Sequence, residues 1–131
     1  PGDIVTSIRF PLPAPGSVGH YEKLGRNVLS DLAIVGVTAL GHPDSSTASG
    51  YRFHLALASV GPVPVVFSDL LTQAPLTPEA VDEAAARAME ATRPIDDVRG
   101  SARYRKFMVR NLSRRALTRV WEGLRSGNRC E

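Results

Sequence analysis

The sequence has too few cysteines for a disulfide framework and lacks an apolar run long enough for a membrane-spanning helix. Its single cysteine, Cys130, cannot form a disulfide within the chain. Such cysteine usage fits a reducing compartment, so we expect a cytoplasmic protein. The longest uncharged apolar run, residues 32–40, is far shorter than the roughly 20 residues that a membrane-spanning helix needs.

Catalytic motifs are also lacking. None of the three histidines has a cysteine, histidine or carboxylate at metal-ligand spacing, so we predict no metal site. Neither a nucleophile motif of the Gly-x-Ser-x-Gly type nor a glycine-rich phosphate loop is present. Asp96 and Asp97 precede Arg99, and this pattern predicts a helix cap or an ion pair rather than an acid/base pair. We therefore predict no catalytic residue on this chain.

What the sequence does contain is ordinary for a folded domain. Its 131 residues are 43% hydrophobic and 22% charged, values typical of one globular domain over residues 1–131. The charge is unevenly distributed, however. Residues 99–125 hold nine basic residues and one acid, a net charge of +8, while the whole chain carries only +3. This pattern indicates either a nucleic-acid patch or a helix that docks on an acidic surface.

Three segments read as strands from their alternation and β-branched content. Residues 4–10 alternate and stop at prolines, residues 31–40 are rich in Ile and Val, and residues 51–57 alternate cleanly. The turn-rich stretch 41–50 joins the last two as a hairpin, and we expect that this loop can be shortened at little cost. Residues 61–64 (GPVP) end the pair of strands.

Two helices follow. Thr77 and Pro78 form a helix start, and a narrow apolar stripe comes after them: Val81, Ala84, Ala85 and Ala88. A longer helix is predicted over residues 101–124. Its predicted apolar stripe rotates between the two halves, with Tyr104, Phe107, Met108 and Leu112 in the first and Ala116, Val120, Trp121 and Leu124 in the second. This rotation predicts a bend or a change of packing partner, and we expect Trp121 to be largely buried. Strands followed by helices predict an α+β fold, a small antiparallel sheet packed against helices.

Three stretches, in order, resemble one family. They are residues 3–11 (DIVTSIRFP), residues 21–26 (YEKLGR) running into 31–35 (DLAIV), and residues 96–105 (DDVRGSARYR) running into 114–117 (RRAL). They are similar to the C-terminal domain of the FAD-binding medium subunit of molybdenum hydroxylases, the carbon monoxide and xanthine dehydrogenase flavoproteins. The resemblance implies a C-terminal fragment of a longer subunit that closes over the flavin of an oxidoreductase.

The resemblance also implies a cofactor, site residues and partners. FAD would be held mainly by domains upstream of this one, and electrons would reach it from iron–sulfur and molybdopterin subunits. Lys23, which we expect on an exposed loop, matches the family lysine that reaches the flavin, and Gly25, Arg26 and Asp31 share its motif. A cation beside the pyrimidine side of the ring would stabilise reduced flavin. The sequence departs from the family pattern at Asn27, where many relatives have arginine, and at residues 58–61 (ASVG).

A second hypothesis does not use the resemblance. In it the chain is a stand-alone interaction module whose basic helix binds an acidic partner or nucleic acid. A nucleic-acid interface would place aromatic and arginine side chains on one exposed face. We expect Tyr104, Phe107 and Trp121 to lie in the core, so nucleic acid is the less favoured partner, and no membrane partner is expected.

Overall fold

A four-stranded antiparallel sheet covered on one face by two helices forms the domain. The computed structural model describes residues 2–27, 32–73 and 76–127. The strands are β1 (Val18–Leu24), β2 (Val35–Pro43), β3 (Tyr51–Ala58) and β4 (Val65–Leu70), and they pair in that order. The helices are α1 (Pro78–Glu90) and α2 (Ala102–Ser126). This arrangement confirms the predicted α+β fold.

The alternation of β3 places its large side chains in the core. Phe53, Leu55 and Leu57 are buried, while Ala58 at the end of the strand is exposed. β2 has a similar alternation, with Val35, Val37 and Ala39 on the covered face. Apolar burial of this kind is the main force that holds the helices on the sheet. The other face of the sheet has no helix over it among the described residues, so the sheet has a covered face and an open face.

The structure corrects the prediction for residues 4–10. They form no strand and pair with none of the described residues. Their apolar side chains stand in solvent, with exposed fractions between 72% for Ile8 and 84% for Ile4. The β-branched alternation is present, but no partner strand for it lies within the described domain.

Two strands were not anticipated. Residues 21–24, expected in a loop, belong to β1, which is an edge strand. β4 follows the proline-rich turn that was expected to end the sheet, and it pairs with β3 through an irregular register. At this irregularity Asp69 has a φ of 65°, which is uncommon for a residue other than glycine. β4 is the other edge strand, where a bulge and nearby prolines are tolerated.

The hairpin loop after β2 has more structure than expected. Asp44 accepts hydrogen bonds from the backbone N–H of Ser46 at 2.9 Å and from Nε of Arg52 at 2.6 Å. The backbone N–H of Ser49 donates to the carbonyl of Thr72 beyond β4 at 3.2 Å. The hydrogen bond from the Ser46 hydroxyl, followed by those from Arg52 and the Ser46 N–H, holds the pKa of Asp44 well below its usual range. The loop is therefore held by specific contacts, and the expectation that it can be shortened at little cost stays a prediction.

Helix α1 forms as the sequence predicts. The Thr77 side chain accepts a hydrogen bond from the N–H of Ala80 at 3.2 Å, and Pro78 occupies the first turn. All four residues of the predicted stripe are buried. Their small side chains allow close packing against α2.

Helix α2 begins after Ser101, whose hydroxyl accepts a hydrogen bond from the N–H of Tyr104. Its buried residues lie on one face: Arg105, Val109, Leu112, Ser113, Ala116, Leu117 and Val120. The predicted rotation of the stripe is therefore wrong. Tyr104 and Phe107 are exposed, and Trp121 is only half-buried against the core. Within the described part of the chain, neither helix is long and apolar enough to cross a membrane.

Candidate functional site

Lys23 lies on the open face of the sheet, near the end of β1. It was expected on a loop, and the structure instead pairs it with Gly36 of β2. Alternation along the strand directs Glu22 and Leu24 to the covered face and leaves Lys23 exposed. Among the described residues, no hydrogen-bond or ion-pair partner is found for its ammonium group. The structure thus presents, on a paired strand, a cation that has no partner in the described part of the chain.

Beside Lys23, the neighbouring strands carry small side chains on the open face of the sheet. Gly36 is directly opposite it, and Ala58 of β3 is the next residue across the sheet. The Tyr21 side chain, 57% exposed, leans over this glycine. A Cβ added at Gly36 would meet the Tyr21 hydroxyl at 3.2 Å and the Ala58 Cβ at 3.5 Å. We call Tyr21, Lys23, Gly36 and Ala58 the shelf.

The other predicted site residues are only partly accounted for. Gly25 and Arg26 follow directly after β1, so they lie at the same end of the sheet as Lys23. Asp31 lies outside the described residues. The structure therefore brings three of the four predicted residues together.

The covered face of β1 is joined to α2 by an ion pair. Glu22 projects towards the helix, where its Oε2 lies 3.4 Å from Nη2 of Arg115. The second oxygen, Oε1, is 3.1 Å from Nε2 of His20 on the same strand. Neighbouring residues of one strand thus serve different purposes, because Glu22 fixes the helix while Lys23 faces outwards.

A buried arginine closes the same end of the sheet. Arg105 is 3% exposed, and its guanidinium donates to the carbonyls of Ile34 at 3.1 Å and Ser59 at 3.0 Å. It also donates to Asp97 at 2.6 Å. This side chain therefore ties the start of β2, the end of β3 and the loop between the helices to one another.

Asp97 is the only carboxylate that contacts Arg105 among the described residues. The backbone N–H of Arg99 donates to it at 2.8 Å, and the guanidinium groups of Arg105 and Arg99 add further donors. These contacts, the N–H of Arg99 foremost, lower the pKa of Asp97 to about 2. Asp96 accepts from the N–H of Ala102 at 2.7 Å. The predicted cap and ion pair are both confirmed.

Histidines and arginine occupy the opposite end of the open face. His42 and His54 stack with ring centroids 5.5 Å apart. Burial lowers the pKa of His54, and the charges of His42 and Arg52 act in the same direction. Nowhere in the described part of the chain do three potential ligands cluster to hold a metal ion.

Helix α2 carries a feature that the sequence analysis missed. Six side chains recur on its outer side and fall within an arc of about 60° at 100° per residue. We call them the arginine ridge: Arg103, Phe107, Arg110, Arg114, Trp121 and Arg125. Phe107 is 58% exposed, although its place in the helix had suggested a core position. The alternating arginine and aromatic spacing was the available signal.

Comparison with known proteins identifies the family. A family model described as the CO dehydrogenase flavoprotein C-terminal domain matches residues 19–120. The chain belongs to this family. The CO dehydrogenase medium chain of Hydrogenophaga pseudoflava is 34% identical over 123 residues, and that of Afipia carboxidovorans is 33% identical over 125 residues. Each alignment covers more than nine-tenths of this chain but only 42% of the relative.

Solved structures agree with this CO dehydrogenase flavoprotein domain assignment. A CO dehydrogenase from Hydrogenophaga pseudoflava that lacks the Mo-pyranopterin moiety superposes with a TM-score of 0.71 at 30% identity. It matches 86% of this chain and 39% of the other chain. Quinoline 2-oxidoreductase from Pseudomonas putida 86 shares the fold, with a TM-score of 0.66 at 19% identity over 86% of this chain and 40% of the other. The comparisons give no support to a stand-alone nucleic-acid-binding module.

Proposed function

We propose that this chain is the C-terminal domain of the FAD-binding subunit of a molybdenum-hydroxylase-type oxidoreductase. In this proposal the domain closes over the flavin and docks on iron–sulfur and molybdopterin subunits during electron transfer. The CO dehydrogenase medium chains support the subunit assignment, since this chain spans less than half of their length. The observation that carries the role of the domain is the exposed ammonium of Lys23 on the shelf, for which residues 2–27, 32–73 and 76–127 provide no partner.

The shelf is compatible with a planar ring. Gly36 lacks the Cβ that would crowd the Tyr21 hydroxyl, and Ala58 adds only a methyl group. The Tyr21 ring lies over Gly36 and is 57% exposed, and an exposed aromatic ring beside a cation suits a large aromatic heterocycle with polar edges. The phosphates would need a different site, because the sequence contains no glycine-rich phosphate loop. A ring contact here and a phosphate site elsewhere would fit FAD that is held chiefly by upstream domains.

Lys23 would act through its charge. FAD supplies the capacity to accept and release electrons, and its reduction adds negative charge to the ring. The ammonium of Lys23 would favour the reduced form by charge attraction. Since Lys23 is exposed in the isolated domain and lacks a competing carboxylate among the described residues, its charge is available for this role. The strand holds its backbone in place, so little reorganisation is needed.

The exposed residues before β1 support a larger subunit. Ile4, Val5, Ile8, Phe10 and Leu12 are each at least 72% exposed. A run of such side chains is rarely left in solvent by a folded protein. We infer that residues 4–12 pack against the upstream, flavin-holding part of the subunit.

The test is a redox titration of the full-length subunit with Lys23→Met. Loss of one partly screened charge should destabilise reduced flavin by on the order of 1–2 kcal/mol. For a two-electron couple this lowers the midpoint potential by about 20–45 mV. Flavin content and the unfolding temperature should stay unchanged, because the methionine keeps the aliphatic stem.

Lys106→Met provides the matched control. Lys106 is the only other lysine of the chain and lies on α2, across the sheet from the shelf. The Lys106→Met substitution removes the same charge and should leave the midpoint potential of the flavin unchanged. If both variants titrate like the wild type at full flavin content, Lys23 is an ordinary surface lysine.

A further inference from the structure

The arginine ridge has the dimensions of a protein interface. From Arg103 to Arg125 it follows α2 for about 33 Å at 1.5 Å per residue. It lies away from the sheet, since the buried residues of the helix occupy a different sector. The shelf and the ridge are therefore on opposite sides of the domain.

The cations of the ridge are largely uncompensated. Arg103, Arg110 and Arg125 are exposed, and no carboxylate partner is found for them within residues 2–27, 32–73 and 76–127. Arg114 has a carboxylate partner, Asp82, but its Nε is 3.7 Å from Oδ1 and both side chains are about half exposed. An exposed pair of this kind contributes little to stability. Ion pairs within the described part of the domain therefore do not account for this row of positive charge.

Aromatic side chains interrupt the row of arginines. Phe107 presents more than half of its surface to solvent between Arg103 and Arg110. At the other end the guanidinium carbon of Arg125 lies 5.8 Å from the ring centroid of Trp121. Aromatic and arginine side chains are the types enriched where proteins bind one another, because they combine buried area with directional polar contacts.

The neighbouring helix argues against a polyanion such as DNA. Helix α1 packs beside α2 and carries Glu79, Asp82, Glu83 and Glu90 against one arginine, Arg87. Packed helices lie only about 10 Å apart, so a duplex on the ridge would also meet these acids. A protein whose carboxylates contact only the ridge brings fewer negative charges close to these acids than a duplex does. A protein groove with acidic rims and an apolar floor has that shape.

We infer that the arginine ridge docks into a carboxylate-bearing groove on another protein subunit of the same oxidoreductase. This inference rests on the proposed function. Phe107 fills the apolar floor of the groove, and Arg103 and Arg110 contact its acidic rims. Charge complementarity of this kind accelerates association and fixes the orientation of the partners.

The experiment measures assembly of the FAD-loaded subunit with its purified iron–sulfur and molybdopterin subunits. Arg110→Glu should raise the dissociation constant about tenfold at low salt and weaken its dependence on ionic strength. Phe107→Ala should weaken binding without altering that dependence. Arg87→Glu on α1 makes the same charge change on another exposed helix residue and should have no effect.

The outcomes separate this inference from the proposed function. If the wild-type complex assembles with full FAD content and Arg110→Glu binds equally well, the docking inference is overturned while the proposed function stands. If the wild-type subunit neither retains FAD nor assembles, both are overturned. Binding of the chain to a duplex DNA probe that Arg110→Glu abolishes would assign the ridge to nucleic acid instead.

Discussion

At the scale of single residues, Asp97 and Arg105 form a pair that joins several segments of the domain. Arg105 is buried and reaches three separate segments through its guanidinium. Asp97 compensates its charge at the end of the sheet where Lys23 lies. An isolated buried guanidinium would be strongly destabilising, so the two residues function as a unit.

Acid should weaken the domain through Asp97. Its pKa is lowered to about 2 by the N–H of Arg99 and by the two arginines, so the unfolded chain binds more protons at acidic pH. The stabilisation is complete above the ordinary carboxyl pKa and is lost as the pH falls from about 4 towards 2. We expect Asp97→Asn to reduce the slope of unfolding free energy against pH in this window. Urea titrations at a series of pH values measure that slope, and equal slopes would contradict the assignment.

At the scale of elements, glycine sets how closely α2 approaches the sheet. A Cβ added at Gly41 of β2 would meet Cγ1 of Val120 at 2.7 Å and Cδ1 of Leu124 at 2.9 Å. A Cβ at Gly123 would meet Cγ1 of Val18 at 2.8 Å. Glycine is needed at both positions for lack of room rather than for backbone freedom. The helix therefore packs against β1 and β2 by backbone approach.

Gly41→Ala should destabilise the domain. The methyl group forces Val120 and Leu124 to move, and overpacking of this kind costs about 1–3 kcal/mol. Gly19→Ala is the matched control in the neighbouring strand, because its nearest contact would be an ordinary 3.7 Å. Chemical denaturation of both variants provides the comparison. Equal stability of the two would show that the helix adjusts without cost.

The elements with strong local signals could be predicted from the sequence. The alternation of β3 and the Thr77–Pro78 start of α1 depend on neighbouring residues, and both formed as expected. β4 was missed because prolines before it suggested an end, although an edge strand tolerates them. The exposure of Phe107 was missed because an apolar residue in a helix suggests burial, whether its partner lies inside the domain or outside it.

The site was predictable to a similar degree. The family motif identified Lys23, but its expected loop is a strand because pairing with β2 outweighs the polar composition of residues 21–24. Gly36 and Ala58 escaped notice because they are brought beside Lys23 only by the register of three strands. Glycine and alanine have no functional group that marks them in a sequence. Their place in the shelf becomes visible only from the pairing of β1, β2 and β3.

At the scale of the whole molecule, residues 4–12 are the part that the domain leaves unpacked. If they contact upstream domains, they contribute nothing to the stability of residues 18–127. We expect the double variant Ile8→Ser and Phe10→Ser to change the free energy of unfolding of this chain by less than about 0.5 kcal/mol. It should also lower binding of an apolar dye. A marked loss of stability would show that the segment packs on the domain after all.

The two-residue period of β1 makes its length more restrictive than its composition. Glu22 faces Arg115 on the helix side, and Lys23 faces the open side. A one-residue insertion or deletion within β1, between Val18 and Glu22, would exchange the faces of these two side chains. The helix would then meet an ammonium beside its arginine, and the shelf would carry a carboxylate. The fold should therefore accommodate substitutions along β1 more easily than insertions or deletions within it. We expect differences in length between related sequences to lie in the turns that flank β1.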